Sequence, residues 1–212
     1  MTKTIPIIVH HLENSRSQRV LWLLEELSLP YAVRRYARDP KTMLAPPELR
    51  KVHPLGKSPV IEHDGRIVAE TATIVEYLVA LAGGRFGPPQ DGDGALRWRY
   101  FLDYAEGSLM PPLLLRLVID KMGPFGWVAK RTVTNMAMVQ IDYVEAELSQ
   151  RPWFAGNEIS AADVMMSFPL EAARERLKLD GKRPTITEWL DRIHARPAYR
   201  AALEKGGAYA YA

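Results

Sequence analysis

The sequence contains no cysteine. A disulfide framework is therefore excluded, and so is any mechanism in which the protein itself supplies a thiol. An excess of one charge is also missing, because 28 basic and 25 acidic residues are mixed along the chain and leave a formal net charge of +3. This balance argues against a nucleic-acid-binding protein, which normally carries a basic stripe.

Long hydrophobic runs are absent as well. No stretch approaches the roughly 20 apolar residues that a membrane-spanning helix needs. The amino terminus runs directly into a strand, without the hydrophobic region of a signal peptide. We therefore expect a cytoplasmic protein without a membrane span. Its 212 residues, 47% of them hydrophobic, suffice for one large or two small domains.

The first eighty-odd residues alternate strand and helix patterns. The segments "IPIIVH" and "YAVRRY" are typical of strands, and "SPVIEHDGRIVAE" predicts a hairpin that turns at Asp64-Gly65. Helices are predicted over residues 15–28, over "PPELRKV", and from Thr71 to Gly83-Gly84. Apolar residues at helical spacing indicate one buried face in each of the two longer helices: Val20, Leu23, Leu24 and Leu27 in the first, and Ile74, Leu78 and Leu81 in the second. The predicted order is βαβαββα.

The rest of the chain shows only helical patterns. Residues 85–94, rich in Gly, Pro and Asp, read as a linker. Helices are predicted over 95–122, 127–149, 161–178, 185–195 and 197–204, and Pro111-Pro112 should bend or break the first of them. Ser160 and Asp163 have the spacing of a capping box, for which we expect a purely structural role. The sequence thus predicts an α/β domain over 1–84, a linker over 85–94 and an all-helical domain over 95–212.

Three local features of the first domain suit one ligand. Ser15 lies at or near the start of a helix, where backbone N–H groups stabilise an anion. In "LGKSPVI", a bend at Ser58-Pro59 would offer backbone groups to an extended peptide, and Lys57 could bind a terminal carboxylate. Thr71 is predicted as a helix N-cap, with Glu70 before it as an acceptor for an ammonium group. Together these features suit a short peptide with a carboxylate at each end.

The sequence resembles a cytosolic glutathione transferase over nearly its whole length. The similar segments are "NSRSQRVLWLLEEL", "PLGKSPVI", "ETATIVEYL", the linker and "FAGNEISAADVMMSFPLE". Bacterial and fungal members with a serine-type active site are the most similar. The resemblance implies a thioredoxin-like domain followed by a helical bundle domain, with no prosthetic group and with glutathione as co-substrate. It also implies a homodimer.

The resemblance further implies residue roles. Ser15 would donate a hydrogen bond to the glutathione sulfur, although Ser17 and Asn14 remain alternatives because sequence does not orient the turn. Lys57 would meet the glycine carboxylate, Ser58 before a cis-Pro59 would hold the cysteinyl backbone, and Glu70 with Thr71 would bind the γ-glutamyl end. We expect no metal site, since His10 and His11 lack further ligands at a suitable spacing.

The second substrate is expected to be a small hydrophobic electrophile bound between the domains. Its candidate contacts lie in the first helix of the second domain and are Tyr104, Ser108, Met110 and Leu114, at least half of which we expect to be ordinary helix core. Two alternatives stay open. One is a glutathione-dependent peroxidase or isomerase on the same scaffold, and the other is a non-catalytic ligand-binding protein with this fold.

Overall fold

A four-stranded sheet forms the centre of the first of two units into which the chain divides. The structure, a computed structural model, describes residues 6–179 and 181–211. Within that range the first unit comprises residues 6–87 and 194–210, and the second comprises residues 88–193 with Tyr211. The first unit contains, in chain order, β1 (Ile7–Leu12), α1 (Ser17–Leu27), β2 (Tyr31–Tyr36), α2 (Leu49–Val52), β3 (Val60–His63), β4 (Arg66–Ala69) and α3 (Thr71–Leu81).

The sheet has the strand order β2-β1-β3-β4. Strand β1 runs parallel to β2 and antiparallel to β3, with His10 opposite Val60. Strands β3 and β4 form the predicted hairpin, in which Val60 lies opposite Ala69. The predicted order βαβαββα is therefore confirmed, and with it the thioredoxin-like character of the amino-terminal part.

The helices of this unit pack through the faces that the sequence pattern indicates. In α1, Val20, Leu23 and Leu24 are 0% exposed and Leu27 is 2% exposed, and burial of each such side chain stabilises the fold by about 1.5–3 kcal/mol. In α3, Ile74 and Leu78 are also fully buried. The prediction is wrong for Leu81, which is 42% exposed because it is the last residue of the helix.

The described residues of the second unit form helices, apart from the connections between them and one isolated β-bridge. Beyond residue 127 its α-helices end within two residues of the predicted ends, and its first α-helix begins three residues before the predicted start. They are α4 (Gly92–Tyr104), α5 (Met110–Lys121), α6 (Trp127–Gln150), α7 (Ala161–Leu177) and α8 (Pro184–His194, whose last residue is grouped with the first unit). No helix within the described ranges combines the length and the apolar character needed to cross a membrane.

The predicted helix over 95–122 is interrupted before its two prolines. A π-helical turn, Ala105–Leu109, separates α4 from α5, and Pro111-Pro112 lie in the first turn of α5. Proline has no N–H to donate to the preceding turn, so the wider π-helical turn occurs where the regular hydrogen-bond ladder cannot continue. The prolines thus mark the beginning of a new helix, as their helix-breaking chemistry predicts.

The last helix, α9 (Pro197–Gly206), lies in the first unit, although the sequence predicts it as part of the helical domain. The ring of Tyr199 meets that of Trp22 edge-on at a centroid distance of 5.4 Å. The Arg196 guanidinium donates to the Glu26 carboxylate at 2.9 Å. The two partners of α9 named here are thus on α1, and the predicted domain range 95–212 stays a prediction.

Candidate functional site

Three of the sequence features meet at one end of the sheet. The carboxyl end of β1, which leads into the polar turn before α1, lies beside the amino end of the antiparallel strand β3. The carboxyl end of β4 lies on the other side of that same end of β3. The register therefore brings together the residues that follow β1, the pair Ser58-Pro59 that precedes β3, and the pair Glu70-Thr71 that follows β4.

The bend before β3 is fixed by the side chain of Ser58. Its hydroxyl donates to the His10 carbonyl at 2.8 Å and accepts from the Leu12 N–H at 3.2 Å. The Ser58-Pro59 peptide bond is cis, as the resemblance implied. Lys57 is exposed at the same edge, so its ammonium is accessible to an anion.

Glu70 has an unusual backbone conformation, with φ +68° and ψ 126°. A non-glycine residue with positive φ is uncommon, and such residues concentrate at ligand-binding positions. Glu70 holds the N-cap position of α3 and its carbonyl accepts from the Ile74 N–H at 2.9 Å. The prediction of Thr71 as the N-cap is therefore wrong by one residue, because the chain turns into the helix at Glu70. Thr71, 6% exposed, is the first helical residue.

The polar turn places two serines in contact at the start of α1. Ser15 Oγ and Ser17 Oγ are 2.7 Å apart, and the Ser17 N–H donates to Ser15 Oγ at 3.3 Å. Arg16 occupies the N-cap position without a side-chain capping bond, so Ser15 lies one residue before it. Ser15 is 6% exposed and Ser17 is 0% exposed. Ser15 is thus the hydroxyl at the outer side of the pair, beside the positive end of the helix dipole.

The inner hydroxyl contacts a buried histidine, His11, for which the sequence suggested no role in this turn. Ser17 Oγ lies 2.9 Å from His11 Nδ1, and the Gly206 backbone at the end of α9 is a further partner of the ring. Burial, and next the positive charge of Arg35, lower the pKa of His11 to about 4, so the ring is neutral at pH 7. The one sequence signal for this contact is strand alternation, which puts His10 and His11 on opposite faces of β1.

The third candidate in the turn, Asn14, has a structural partner. Its side-chain oxygen accepts from the Ala210 N–H at 2.7 Å, and its carbonyl accepts from Arg38 at 3.2 Å. The backbone of Asn14 is left-handed, with φ +49°, a conformation that asparagine tolerates better than most residues. These bonds hold the turn in place, and they occupy the Asn14 side-chain acceptor.

His10 belongs to a separate cluster on the opposite face of the sheet. Its ring bonds Tyr36 Oη at 2.7 Å through Nδ1 and Glu62 Oε1 at 2.6 Å through Nε2. These contacts join three neighbouring strands. In the described part of the chain, no group of three or more His, Asp or Glu side chains could hold a metal ion.

The four candidate contacts for a second substrate differ in burial. Tyr104 is 6% exposed and donates to Gln140 Oε1 at 2.7 Å, and Met110 is 3% exposed, so both lie in the core of the helical unit. Ser108, on the π-helical turn, and Leu114, 48% exposed on α5, are accessible. Their role in binding an electrophile stays a prediction.

Two family models match this chain, one in its amino-terminal part and one in its carboxyl-terminal part. A family model described as "Glutathione S-transferase, N-terminal domain" matches residues 15–81, and one described as "Glutathione S-transferase, C-terminal domain" matches residues 130–197. The chain is also 35% identical to glutathione S-transferase 1 of Saccharomyces cerevisiae, over 97% of this chain and 97% of the yeast protein. The chain belongs to the glutathione S-transferase family.

Two further glutathione S-transferases are similar to this chain, one in sequence and one in both sequence and structure. Glutathione S-transferase 3 of Schizosaccharomyces pombe is 35% identical, over 94% of this chain and 87% of that protein. The crystal structure of a glutathione S-transferase from Actinobacillus pleuropneumoniae is 33% identical and superposes with a TM-score of 0.86, covering 96% of this chain and 94% of that one. The predicted fold, an α/β unit followed by helices, is confirmed by this superposition.

Proposed function

We propose that this protein is a glutathione transferase in which Ser15 donates a hydrogen bond to the glutathione thiolate. The thiolate then attacks a hydrophobic electrophile. Family membership supports the use of glutathione as co-substrate without a prosthetic group. The absence of cysteine supports it too, since the nucleophilic sulfur has to come from a substrate.

The observation that carries the proposal is the position of the Ser15 hydroxyl. It lies before the first turn of α1 and on the outer side of the serine pair. A hydrogen bond to a charged partner contributes about 1.5–3 kcal/mol, and the helix dipole adds about 0.3–1 kcal/mol. Lowering a thiol pKa from about 8.5 by two units requires roughly 2.7 kcal/mol. The two effects are therefore large enough to make the thiolate the main species near pH 7.

The remaining glutathione contacts use the other two features at the same end of the sheet. Lys57 would pair with the glycine carboxylate, and the backbone of Ser58, before Pro59, would bind the cysteinyl part. Glu70 would accept from the γ-glutamyl ammonium, and Thr71 would donate to its carboxylate beside the first turn of α3. The constrained backbone of Glu70 supports this role, because positive φ persists where neighbouring structure or function requires it.

The second substrate and the assembly belong to the same proposal. We expect a small hydrophobic electrophile, with Ser108 and Leu114 as its accessible candidate contacts, and a homodimer that acts in the cytoplasm. A glutathione-dependent peroxidase or isomerase would share the glutathione contacts and differ in the second substrate. Assays with an aromatic halide and with an organic hydroperoxide separate transferase from peroxidase, and sedimentation velocity gives the oligomeric state.

The decisive experiment is a pH titration of bound glutathione, followed by the ultraviolet absorbance of its thiolate. In the wild-type protein we expect a thiol pKa about two units below that of free glutathione. In Ser15→Ala the pKa should return most of the way to the free value, with kcat falling at neutral pH. Ser149→Ala, which removes an exposed hydroxyl on α6, is the matched control and should behave as wild type.

The other outcomes are equally informative. A lowered pKa that persists in Ser15→Ala would move the hydrogen bond to another donor, with Ser17→Ala and Asn14→Ala as the next variants. Absence of glutathione binding by the wild-type protein would overturn the transferase proposal and favour a ligand-binding protein with this fold.

A further inference from the structure

Three buried polar side chains form a line that leads inward from Ser15. Ser15 Oγ is 2.7 Å from Ser17 Oγ, which is 2.9 Å from His11 Nδ1. All three are nearly or completely buried, at 6%, 0% and 3% exposure respectively. The proposed transferase mechanism uses only the outermost of them. The two inner groups are close enough to determine where the hydrogen of the outermost one points.

The number of hydroxyl hydrogens shows why the direction of the Ser15 hydrogen depends on Ser17. Each hydroxyl has one hydrogen, so the short contact between the serines contains either the hydrogen of Ser15 or that of Ser17. If Ser15 donates to Ser17, it has no hydrogen for a sulfur anion. If Ser17 donates to Ser15, then Ser15 accepts two bonds, from the Ser17 hydroxyl and the Ser17 N–H, and its own hydrogen is directed outward.

The outward arrangement also constrains the histidine. Once Ser17 donates to Ser15, its oxygen can satisfy His11 Nδ1 only by accepting a hydrogen from it. The ring must then carry its N–H on Nδ1. The Leu12 carbonyl, 3.3 Å from Ser17 Oγ, competes weakly for the same hydroxyl hydrogen.

The ring has a competing partner on its other side. The Gly206 backbone carbonyl can only accept, and a Cβ at Gly206 would lie 3.4 Å from His11 Cε1. Because Nδ1 faces Ser17, this carbonyl favours the hydrogen on Nε2. Burial and the nearby Arg35 keep the ring neutral, so it has a single hydrogen to share between the two sides. Without a ligand, Gly206 favours Nε2–H, and both serine hydrogens then point inward.

We propose that His11 is a positioning residue for thiolate formation: when the thiolate lies against Ser15, His11 carries its hydrogen on Nδ1 and the hydrogen bonds run outward through Ser17 and Ser15 to the sulfur. This inference rests on the proposed function. When the thiolate forms, the S–H bond of glutathione and the Nε2–H bond of His11 break, and an Nδ1–H bond forms on His11. One proton is released to solvent, the electron pair stays on sulfur and the ring remains neutral.

The first test measures the thiol pKa of bound glutathione in full-length His11 variants. His11→Phe removes the donor, so the thiol pKa should rise by about one unit, a tenfold change in the thiolate equilibrium. His11→Asn is the matched variant, because its amide nitrogen can take the position of Nδ1, and the pKa should stay near the wild-type value. In a Ser17→Ala background, His11→Phe should have no further effect, since the link to Ser15 is already broken.

Affinity for S-methylglutathione separates positioning from misfolding. This ligand has no S–H, so its Kd should be unchanged in His11→Phe if the fold is intact. A thiol pKa in His11→Phe that equals or falls below the wild-type value, while Ser15→Ala raises it, would overturn the inference and leave the proposed function standing. If Ser15→Ala also has no effect, the assignment of Ser15 as the sulfur partner fails, whereas the transferase proposal itself fails only if the wild-type protein does not bind glutathione.

The second test observes the ring directly. In 15N-labelled protein, the two His11 ring nitrogens have shifts that distinguish a protonated from an unprotonated site, and His11→Asn identifies their signals among the five histidines. We expect Nε2–H in the free protein and Nδ1–H once the glutathione thiolate is bound. Unchanged ring shifts on binding would contradict the proposed reorientation.

Discussion

The hydroxyls of Ser15 and Ser17 differ in their surroundings, although they are two residues apart. Ser17 is fully buried and bonded to His11 and the Leu12 carbonyl. Ser15 is bonded to Ser17 from the outer side. An inner hydroxyl with its bonding capacity in use supports the fold, whereas the outer one has capacity left for a ligand. This difference supports Ser15 as the sulfur partner in the proposed mechanism.

Also at the scale of residues, the lowered pKa of His11 makes the free energy of unfolding depend on pH. The unfolded chain binds the proton near pH 6.5 and the folded chain only near pH 4. Acidification through this window therefore favours the unfolded chain. Between pH 7 and pH 5 the wild-type protein should lose about 2 kcal/mol more free energy of unfolding than His11→Asn, which lacks this titration.

Urea denaturation of both proteins at the two pH values measures the difference. The comparison removes the opposite contribution of Asp163, whose pKa burial raises to about 6 in both proteins. Equal losses in the two proteins would show that His11 titrates normally in the fold.

At the scale of elements, the start of α7 is held by one buried carboxylate. Asp163 accepts from the Ser160 N–H at 2.9 Å and the Phe154 N–H at 3.1 Å, and from Trp189 Nε1 at 3.3 Å. The Ser160 hydroxyl accepts from the Ala162 N–H at 3.2 Å, which completes the predicted capping box. The carboxylate thus joins α7 to the preceding loop and to α8.

Replacement of this carboxylate should destabilise the helical unit. Asp163→Ala leaves the buried N–H groups of Ser160, Phe154 and Trp189 without their acceptor, and we expect a loss of about 3 kcal/mol. Asp103→Ala is the control, because Asp103 is 61% exposed and pairs with Arg99 on the surface, so its loss should stay below about 0.5 kcal/mol. Similar midpoints of urea unfolding for the two variants would contradict the structural role of Asp163.

At the scale of the whole molecule, the end of the chain completes the first unit. Besides the Trp22–Tyr199 contact, Arg35 donates to the Lys205 carbonyl at 3.0 Å, and the Ala210 N–H bonds Asn14 in the polar turn. The helix that carries Ser17 is therefore buried by a segment about 180 residues later in the sequence. We therefore expect the stability of the amino-terminal site to depend on the carboxyl-terminal helix.

Truncation of the central aromatic contact tests this dependence. Tyr199 is 1% exposed, so Tyr199→Ala should cost about 3–5 kcal/mol, as buried aromatic truncations do. Hydrogen exchange should accelerate in α1 as well as in α9. Phe125→Ala is the control, because Phe125 is 86% exposed and its removal should change stability by less than about 0.5 kcal/mol. If hydrogen exchange in α1 is unchanged in Tyr199→Ala, the stability of α1 does not depend on its contact with α9.

The sequence by itself determined the features that depend on neighbours within a few residues. The buried face of α1, the hairpin at Asp64-Gly65 and the capping box at Ser160 all follow from local spacing, because backbone hydrogen bonds and side-chain periodicity act over one or two turns. The same locality fixed the interruption at Pro111-Pro112. The one-residue error at Thr71 arose because the backbone conformation of Glu70 has no local sequence signal.

Only the tertiary structure decided which distant groups meet. The position of α9 on α1, and the line from Ser15 through Ser17 to His11 and Gly206, join residues from both ends of the chain. Burial, shape and hydrogen-bond partners select such contacts, and none of these leaves a periodic pattern in the segments concerned. The sequence therefore indicated a polar turn suited to an anion, and the fold distinguished its outer hydroxyl from the inner one.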